Sequence, residues 1–501
     1  MSSVPLKRKV QEQIGPDDSK NPSISSSATV SARFQTADGE VTGPPLSIPA
    51  QITPQQLTVL LNKLLDNEEP LPYSFQVDQI EVIRSIYEDL IQNGTKSTED
   101  SLTIIYHPQA VFRVRAVTRC SSTLTGHTEA LLSCRFSPDG QYLATGSGDT
   151  TVRLWDLNTE TPQFTCQGHS NWVLCLEWAP DSSIVASGSM DQTVRLWDPK
   201  TGQMIGNPLK GHRKWVTSIA WEPFHINPKN PRLATASKDG TVRIWDTVRR
   251  TTIMTFASHT SSVTCVKWGG GNDLAQFPQG IIYTTSQDRT VKLWNPATGA
   301  MIKSLSGHAH WVNTIALNTD YVLRTGQFDH TGKKFDTPEE GQVKALERYN
   351  EVVKGIGERI VTGSDDFTMF LWDPLRNDKP LARMTGHQKA VNHVNFSPDG
   401  RLIASASFDN SVKIWDANTG KFVKNLRGHV SSVYQVCWSS DSRMLVSASK
   451  DATCKVWDYR TGKLKVNLPG HLDEVYAIDW SPGGDKVASG GKDRTLKLWR
   501  Y

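Results

Sequence analysis

An all-β fold in which eight short antiparallel sheets close into a ring, preceded by a small α+β module, is what three features of this 501-residue sequence predict. A histidine recurs at His127, His169, His212, His259, His308, His387, His429 and His471, most often 42 or 43 residues apart. A tryptophan recurs in step at Trp155, Trp197, Trp245, Trp294, Trp372, Trp415, Trp457 and Trp499. Six residues before each tryptophan stands an aspartate: Asp149, Asp191, Asp239, Asp288, Asp366, Asp409, Asp451 and Asp493.

Each repeat reads as four short strands. Nine residues after each histidine a large apolar residue, such as Phe136, Trp178 or Trp480, ends a run that alternates apolar and polar, the period of a strand. Turn sequences such as Ser137-Pro138-Asp139-Gly140 separate the runs, with proline and glycine supplying the fixed and positive φ of tight turns. Typically 14 residues follow one tryptophan before the next histidine and house an outer strand, yet only two follow Trp499. The last sheet therefore lacks its outer strand, and residues 114–124 are expected to supply it and close the ring, leaving no open sheet edge between first and last repeat. The fifth repeat is longer, with 79 residues from His308 to His387, which places an insertion at 320–358. Thr337-Pro338-Glu339-Glu340 opens it as a capping box, and Val343, Leu346, Tyr349 and Val353 follow at helical spacing, predicting one amphipathic helix of about 15 residues.

Gly-His, then Asp, then Trp-Asp at this spacing resembles the WD40 family, and the resemblance covers residues 114–501. It implies that each His, Asp and Trp joins a hydroxyl in a buried tetrad. We expect that hydroxyl two residues before the aspartate, at Ser147, Ser189, Ser237, Ser286, Ser364, Ser407 and Ser449. Gly491 stands there in the eighth repeat, whose tetrad is expected to be incomplete. A Ser, a His and an Asp together suggest hydrolysis, but eight copies of one polar set answer a need that every blade shares, whereas catalysis requires one unique constellation. No G-x-x-x-x-G-K phosphate loop, metal-ligand set in cis or unique nucleophile with a base is present, so no enzyme and no cofactor of its own is expected.

Charge divides the chain. The net +4 splits into +1 for residues 1–28, −6 for 29–113 and +9 from 114 onward, an acidic front module joined to a basic body. Residues 1–28 lack the apolar content to order themselves, and Lys7, Arg8 and Lys9 resemble a short nuclear-import signal. The seven cysteines show no C-x-x-C pair and read as reduced core residues. No apolar run approaches the roughly 18 residues of a membrane span and no signal peptide is evident, so a soluble, intracellular protein with no membrane partner is expected.

In residues 29–113, strand-like runs lie near Ala32–Gln35, Leu46–Ile48, Tyr73–Val77 and Leu102–Tyr106. Thr53-Pro54-Gln55-Gln56 caps a helix with Leu57, Leu60, Leu61 and Leu64 on one stripe. Strand, strand, helix, strands resembles the ubiquitin-like fold. With eight WD40 repeats behind it, the chain resembles the Notchless (NLE-domain) family of ribosome-assembly factors. The local sequences that carry this are Ser97-Thr98-Glu99-Asp100, Pro108-Gln109-Ala110-Val111-Phe112-Arg113-Val114, Asn171-Trp172-Val173-Leu174-Cys175 and Phe328-Asp329-His330-Thr331-Gly332-Lys333-Lys334.

That resemblance implies a nuclear and nucleolar factor, monomeric within a large particle. Its propeller would sit on the pre-ribosomal large subunit, among ribosomal RNA, ribosomal proteins and other assembly factors. Its ubiquitin-like domain would meet the metal-ion-dependent adhesion site of midasin, an AAA+ ATPase. A Mg²⁺ held there with an open position takes a hard carboxylate oxygen, and Glu99, with Asp100 second, is the expected ligand in trans. On the propeller, Trp172, Trp215 and Trp311, three residues after the repeat histidines, and Lys238, Lys450 and Lys492, each before a turn aspartate, are candidate contacts to protein and RNA. The alternative is a substrate-recognition or signalling scaffold in a ubiquitin-ligase or Notch-type pathway, since this fold serves many complexes.

Overall fold

The acidic front module folds because its apolar residues alternate along strands and recur at helical spacing on one helix. In the computed structural model, which describes residues 28–36, 39–67, 70–78, 80–272, 275–333, 335 and 337–501, the chain divides into two units, Met1–Gln109 and Ala110–Tyr501. The proposed import signal at Lys7, Arg8 and Lys9 lies outside the described residues. The first unit contains β1 (Thr29–Gln35), β2 (Val41–Pro49), α1 (Pro54–Leu64), β3 (Tyr73–Val77), β4 (Ile80–Glu81) and β5 (Ser101–Pro108). The sheet order is β2-β1-β5-β3-β4, with β1 parallel to β5 and antiparallel to β2, the ubiquitin-like arrangement that the sequence predicts. Thr53 caps α1 reciprocally with Gln56, and Leu57 and Leu61 reach the core fully buried beside Phe34, Phe75 and Ile104. Two pieces escaped the sequence: β4, too short to show a period, and one π-helical turn at Tyr87–Ile91.

The second unit is eight four-stranded antiparallel sheets. Their first strands, from Leu131–Phe136 through Val475–Trp480, each touch the next, and the last touches the first, so the array closes. The fifth sheet, with strands at Val312–Leu317, Ile360–Ser364, Met369–Trp372 and Ala382–Met384, forms in spite of its insertion. Arg119–Leu124 pairs antiparallel with Leu496–Arg500 and completes the eighth sheet. The pairing begins at 119 rather than 114. Residues 110–117 are instead fastened beside it: Val114 N–H donates to Asp441 (2.9 Å), Phe112 stacks on His330 (3.9 Å between centroids) and Val117 is fully buried. These contacts put the boundary at 109/110, ahead of the expected 113/114.

The tetrads require a correction. The hydroxyl lies four residues before the aspartate, not two: Thr145, Ser187, Thr235, Thr284, Thr362, Ser405, Ser447 and Ser489. In the first blade Trp155 Nε1–H donates to Thr145 Oγ1 (2.8 Å), Thr145 meets His127 Nε2 (2.9 Å), and His127 Nδ1 meets Asp149 (2.7 Å). The reason is sheet register. Trp155 lies opposite Leu143, so its indole, leaning along the strand, reaches the diagonal residue Thr145. Ser147 sits one step further, at the turn, where its Oγ accepts from Asp149 N–H and donates to the Glu129 carbonyl. The equivalent serines of blades two to seven, Ser189, Ser237, Ser286, Ser364, Ser407 and Ser449, likewise donate to carbonyls ahead of the first strand. The eighth tetrad is complete through Ser489. What Gly491 lacks is the turn pin, and Lys492 N–H donates to the Glu474 carbonyl beside it (2.8 Å).

The insertion forms two helices where one was expected, α2 (Asp320–Thr325) and α3 (Pro338–Val353). Thr337 Oγ1 accepts from Glu340 N–H, one half of the expected capping box. The buried stripe of α3 is Gly341, Ala345 and Tyr349, while Val343 is exposed. At the first of these positions only glycine fits, because a Cβ on Gly341 would collide with Gln327 and stand 3.2 Å from Phe224, whereas Tyr349 fills the space further along the helix. All seven cysteines are free, and Cys120, on the closing strand, is exposed rather than in the core.

Candidate functional site

The loop 93–100 runs from the π-helical turn into β5. Gly94 takes φ +70° to leave that turn, and its N–H donates to the Ile91 carbonyl. Lys96 then anchors the loop through an ion pair with Asp78 (2.6 Å), which raises the lysine's pKa. Ser97–Asp100 forms a tight turn in which Asp100 Oδ2 accepts from Ser97 N–H (2.8 Å) and Asp100 N–H donates to the Ser97 carbonyl (3.3 Å). The Ser97 amide bond holds the Asp100 carboxyl below the usual carboxylate range. Glu99 and Asp100 are both exposed, yet they differ in what their oxygens do. Asp100 is engaged in holding the turn; Glu99 N–H donates to Ser97 Oγ (3.3 Å), and among the described residues its carboxylate meets no partner. The arrangement offers one unengaged hard oxygen donor on a stiffened support.

The propeller face that carries the His–Asp turns shows the six sequence candidates in three conditions. Trp172, Trp215 and Trp311 are 46%, 39% and 45% exposed, so each ring both contacts its own ring of blades and offers a face to solvent. Trp172 covers Gly148 of the preceding blade, where a Cβ would lie 3.5 Å from the indole. Lys238 stands over the Trp215 ring at 4.1 Å, a cation–π pair within one blade. Lys450 and Lys492 are less available than the sequence implies, being paired with Glu474 (3.6 Å) and Asp473 (3.4 Å).

Within each tetrad the aspartate Oδ2 also accepts from the residue after the histidine, and Oδ1 accepts from the residue two beyond the aspartate, as Thr128 and Thr151 do for Asp149. Burial opposes ionisation, but these donors and the histidine outweigh it and hold all eight carboxyls far below their usual range. A base held so acidic cannot take a proton near neutrality, consistent with a structural part.

Sequence reasoning missed the channel. A cavity of about 370 Å³ lies on the ring axis, and α2 contributes Asp320, Tyr321 and Arg324 to its lining. Arg324 makes a two-pronged bond to Asp479, which is fully buried and also accepts from Phe136 N–H (2.9 Å). Asp320 pairs with Lys267 (3.1 Å) and Tyr321 OH donates to the Pro482 carbonyl (3.3 Å), so α2 ties blades four and eight together across the axis. Its only sequence signal was the position of charged residues inside an insertion. Among the described residues no group of His, Cys, Asp or Glu could hold a metal, and no helix is long and apolar enough to cross a membrane.

Comparison with known proteins agrees with this architecture. The WD domain, G-beta repeat family matches seven segments, 118–156, 160–198, 203–246, 250–295, 378–416, 420–458 and 462–500, and passes over the fifth blade, which its insertion interrupts. The NLE (NUC135) domain family matches residues 30–90. Protein Notchless of Drosophila melanogaster is 55% identical over 379 residues, 75% of this chain and 76% of that protein. Ribosome assembly protein 4 of Saccharomyces cerevisiae is 54% identical over 413 residues, 79% of each chain. Among solved structures, the computationally designed Ika8 protein aligns with a TM-score of 0.59 and 28% identity, over 76% of this chain and 98% of that one. An NLE domain ahead of a closed WD40 ring, with this identity over three quarters of its length, places the chain in the Notchless and ribosome assembly protein 4 family of non-enzymatic WD-repeat scaffolds.

Proposed function

We propose that the protein is an assembly factor of the large ribosomal subunit, acting in the nucleus and nucleolus. In this reading the propeller docks on pre-ribosomal particles. The NLE domain presents Glu99 to a Mg²⁺ held in the adhesion site of a midasin-type AAA+ ATPase, whose ATP hydrolysis remodels the particle. Relatives named for ribosome assembly support the process, and the acidic front module joined to a basic body supports two different partners.

The observation that carries the metal contact is the division of labour between adjacent acids. Asp100 braces the turn, and Glu99 stands free at its edge. Mg²⁺ bound by a partner keeps positions open for oxygen ligands and would gain one carboxylate there on association. Glu99→Gln keeps shape and removes charge, so Mg²⁺-dependent binding to the ATPase should fall on the order of tenfold or more, with folding and pre-ribosome association retained. Asp100→Asn should instead loosen the loop and weaken binding less. Normal binding by Glu99→Gln, measured by pull-down with and without chelator, excludes the assignment. Sedimentation of an extract through a sucrose gradient separates this reading from a ligase or signalling scaffold, according to which complexes carry the protein.

A further inference from the structure

We propose that the outer rim of blades six, seven and eight is a phosphate-binding surface that seats a helical stretch of RNA. This deepens the ribosome-assembly reading and rests on it for the partner's presence, but it uses a different surface from the face of the turns.

The outermost segments of these three neighbouring blades, 417–427, 459–468 and 110–124, carry nine Lys and Arg and no Asp or Glu. The corresponding segments of the other five blades, 157–166, 199–210, 247–256, 295–306 and 374–384, carry eight cations and two acids between them. One of those acids, Asp378, is paired with Lys303 (2.8 Å). On the rim, Lys421 and Arg427 in blade six and Lys463 and Lys465 in blade seven are exposed. So are Arg113, Arg115 and Arg119 in blade eight. No carboxylate pairs with any of these seven among the described residues. The nearby Glu160 is already occupied by Arg500 (2.7 Å), Ser121 and Ser122. Asp416 and Asp458 lie at the adjacent turns and accept the amides of Asn418 and Thr419, and of Arg460 and Thr461.

At the seam of blades seven and eight the cations crowd one another. Burial lowers the Arg443 pKa, Asp441 opposes this, and Arg113 and Arg460 lower it further. Like charges gathered at one seam repel one another and favour an anion across the surface. The cations extend over three blades, along the outer strands and the stretches that lead into them, so the fitting anion is extended and regularly charged. A phosphate backbone meets this, with double-helical nucleic acid carrying a charge about every 1.7 Å. RNA helices are read largely through such backbone contacts. The exposed large apolar residues of these segments, Val111, Phe422, Val423 and Leu464, are spread over the three blades and are outnumbered by the seven exposed cations, which favours a charged partner over an apolar one.

The test uses the full chain and an RNA duplex of about 20 base pairs, followed by fluorescence anisotropy between roughly 50 and 200 mM salt. The rim variant combines Arg115→Gln, Lys421→Gln, Lys463→Gln and Lys465→Gln. The control combines Lys200→Gln, Lys210→Gln, Arg249→Gln and Arg250→Gln, exposed cations of blades two and three. The rim variant should bind about tenfold or more weakly, with a salt slope reduced by about 3, while the control changes less than about twofold. Equal losses in both variants, no loss in either, or rim-dependent binding to polyglutamate in place of RNA would overturn the proposal. Gradient sedimentation of the wild type keeps the two readings apart. If it fails to travel with pre-ribosomes, the assembly reading fails. If it does travel, and the rim variant binds RNA as the wild type does, the rim alone fails.

Discussion

Each tetrad is a short relay of donors and acceptors, and its physics lies in which atom lacks a partner once one member is removed. Trp155 Nε1–H gives to Thr145, and His127 Nδ1–H gives to an Asp149 that accepts from several donors, which leaves Nε2 to accept from the threonine. Burial lowers the pKa of His169 and His387 further than their aspartates raise it, which favours the neutral ring this relay needs. Thr145→Val should therefore strand an indole N–H and an imidazole nitrogen and cost on the order of 1–3 kcal/mol in urea unfolding, while Thr145→Ser restores most of it. Ser147→Ala removes only a turn pin, so its loss should be the smaller. An equal loss from Ser147→Ala would return the tetrad to the position that the sequence suggested. The same logic separates Asp100 from Glu99 in the front module, because an acid that accepts a local amide is not free to serve a partner.

The inserted element α2 acts through a buried ion pair. Asp479 has no solvent, and it faces both prongs of Arg324 together with the Phe136 amide. Removing Arg324 leaves the buried Asp479 with only the Phe136 amide and the more distant Arg135 (3.9 Å), a loss of about 3 kcal/mol. Arg324→Ala should lower the chain's unfolding midpoint sharply, and pairing it with Asp479→Asn should recover part of that loss, as a double-mutant cycle read by thermal unfolding will reveal. α3 is held by other means: Tyr349 stacks on His225 (4.7 Å), and Arg348 gives to the carbonyls of Gly326 and Phe328. Glu358, fully buried beyond the helix, accepts from Tyr283, Thr319 and the amides of Gly270 and Gly271. The insertion is thus part of the propeller's own packing.

Eight aspartates with depressed pKa and histidines kept neutral, His225 and His393 most strongly, give the whole molecule a defined response to acid. Burial pushes His393, on the channel wall, down to about 3, and His225, under α3, down to about 4. Both are neutral in the fold and take up protons once unfolded, so their contribution is full above about pH 6.5 and declines as pH falls toward 4. The aspartates contribute above the unfolded value of about 3.9, and that contribution is lost as pH drops further. Chemical denaturation at pH 7.5, 5.5 and 4 should give steadily lower stability, with His225→Phe flattening the upper part of the profile. A profile level from 7.5 to 5 would refute the histidine part. Closure is the other property of the whole ring, since the eighth sheet is built from both ends of the propeller and unfolding it separates residues far apart in the chain, such as Leu124 and Leu496.

The repeat count, the ring, its closing strand and the ubiquitin-like order were legible because their signals are local. A strand has a period of two, a blade recurs at a fixed interval, and a missing last strand is visible by counting. Tertiary structure decided what depends on register and on distant approach. The identity of the tetrad hydroxyl follows from a diagonal across two strands, which spacing along one strand cannot distinguish. The pairing of Arg324 with Asp479, 155 positions apart, follows from the approach of separate blades, whereas Lys450 meets Glu474 of the next blade and Lys492 meets Asp473 within its own, contacts that depend on how loops approach one another in space.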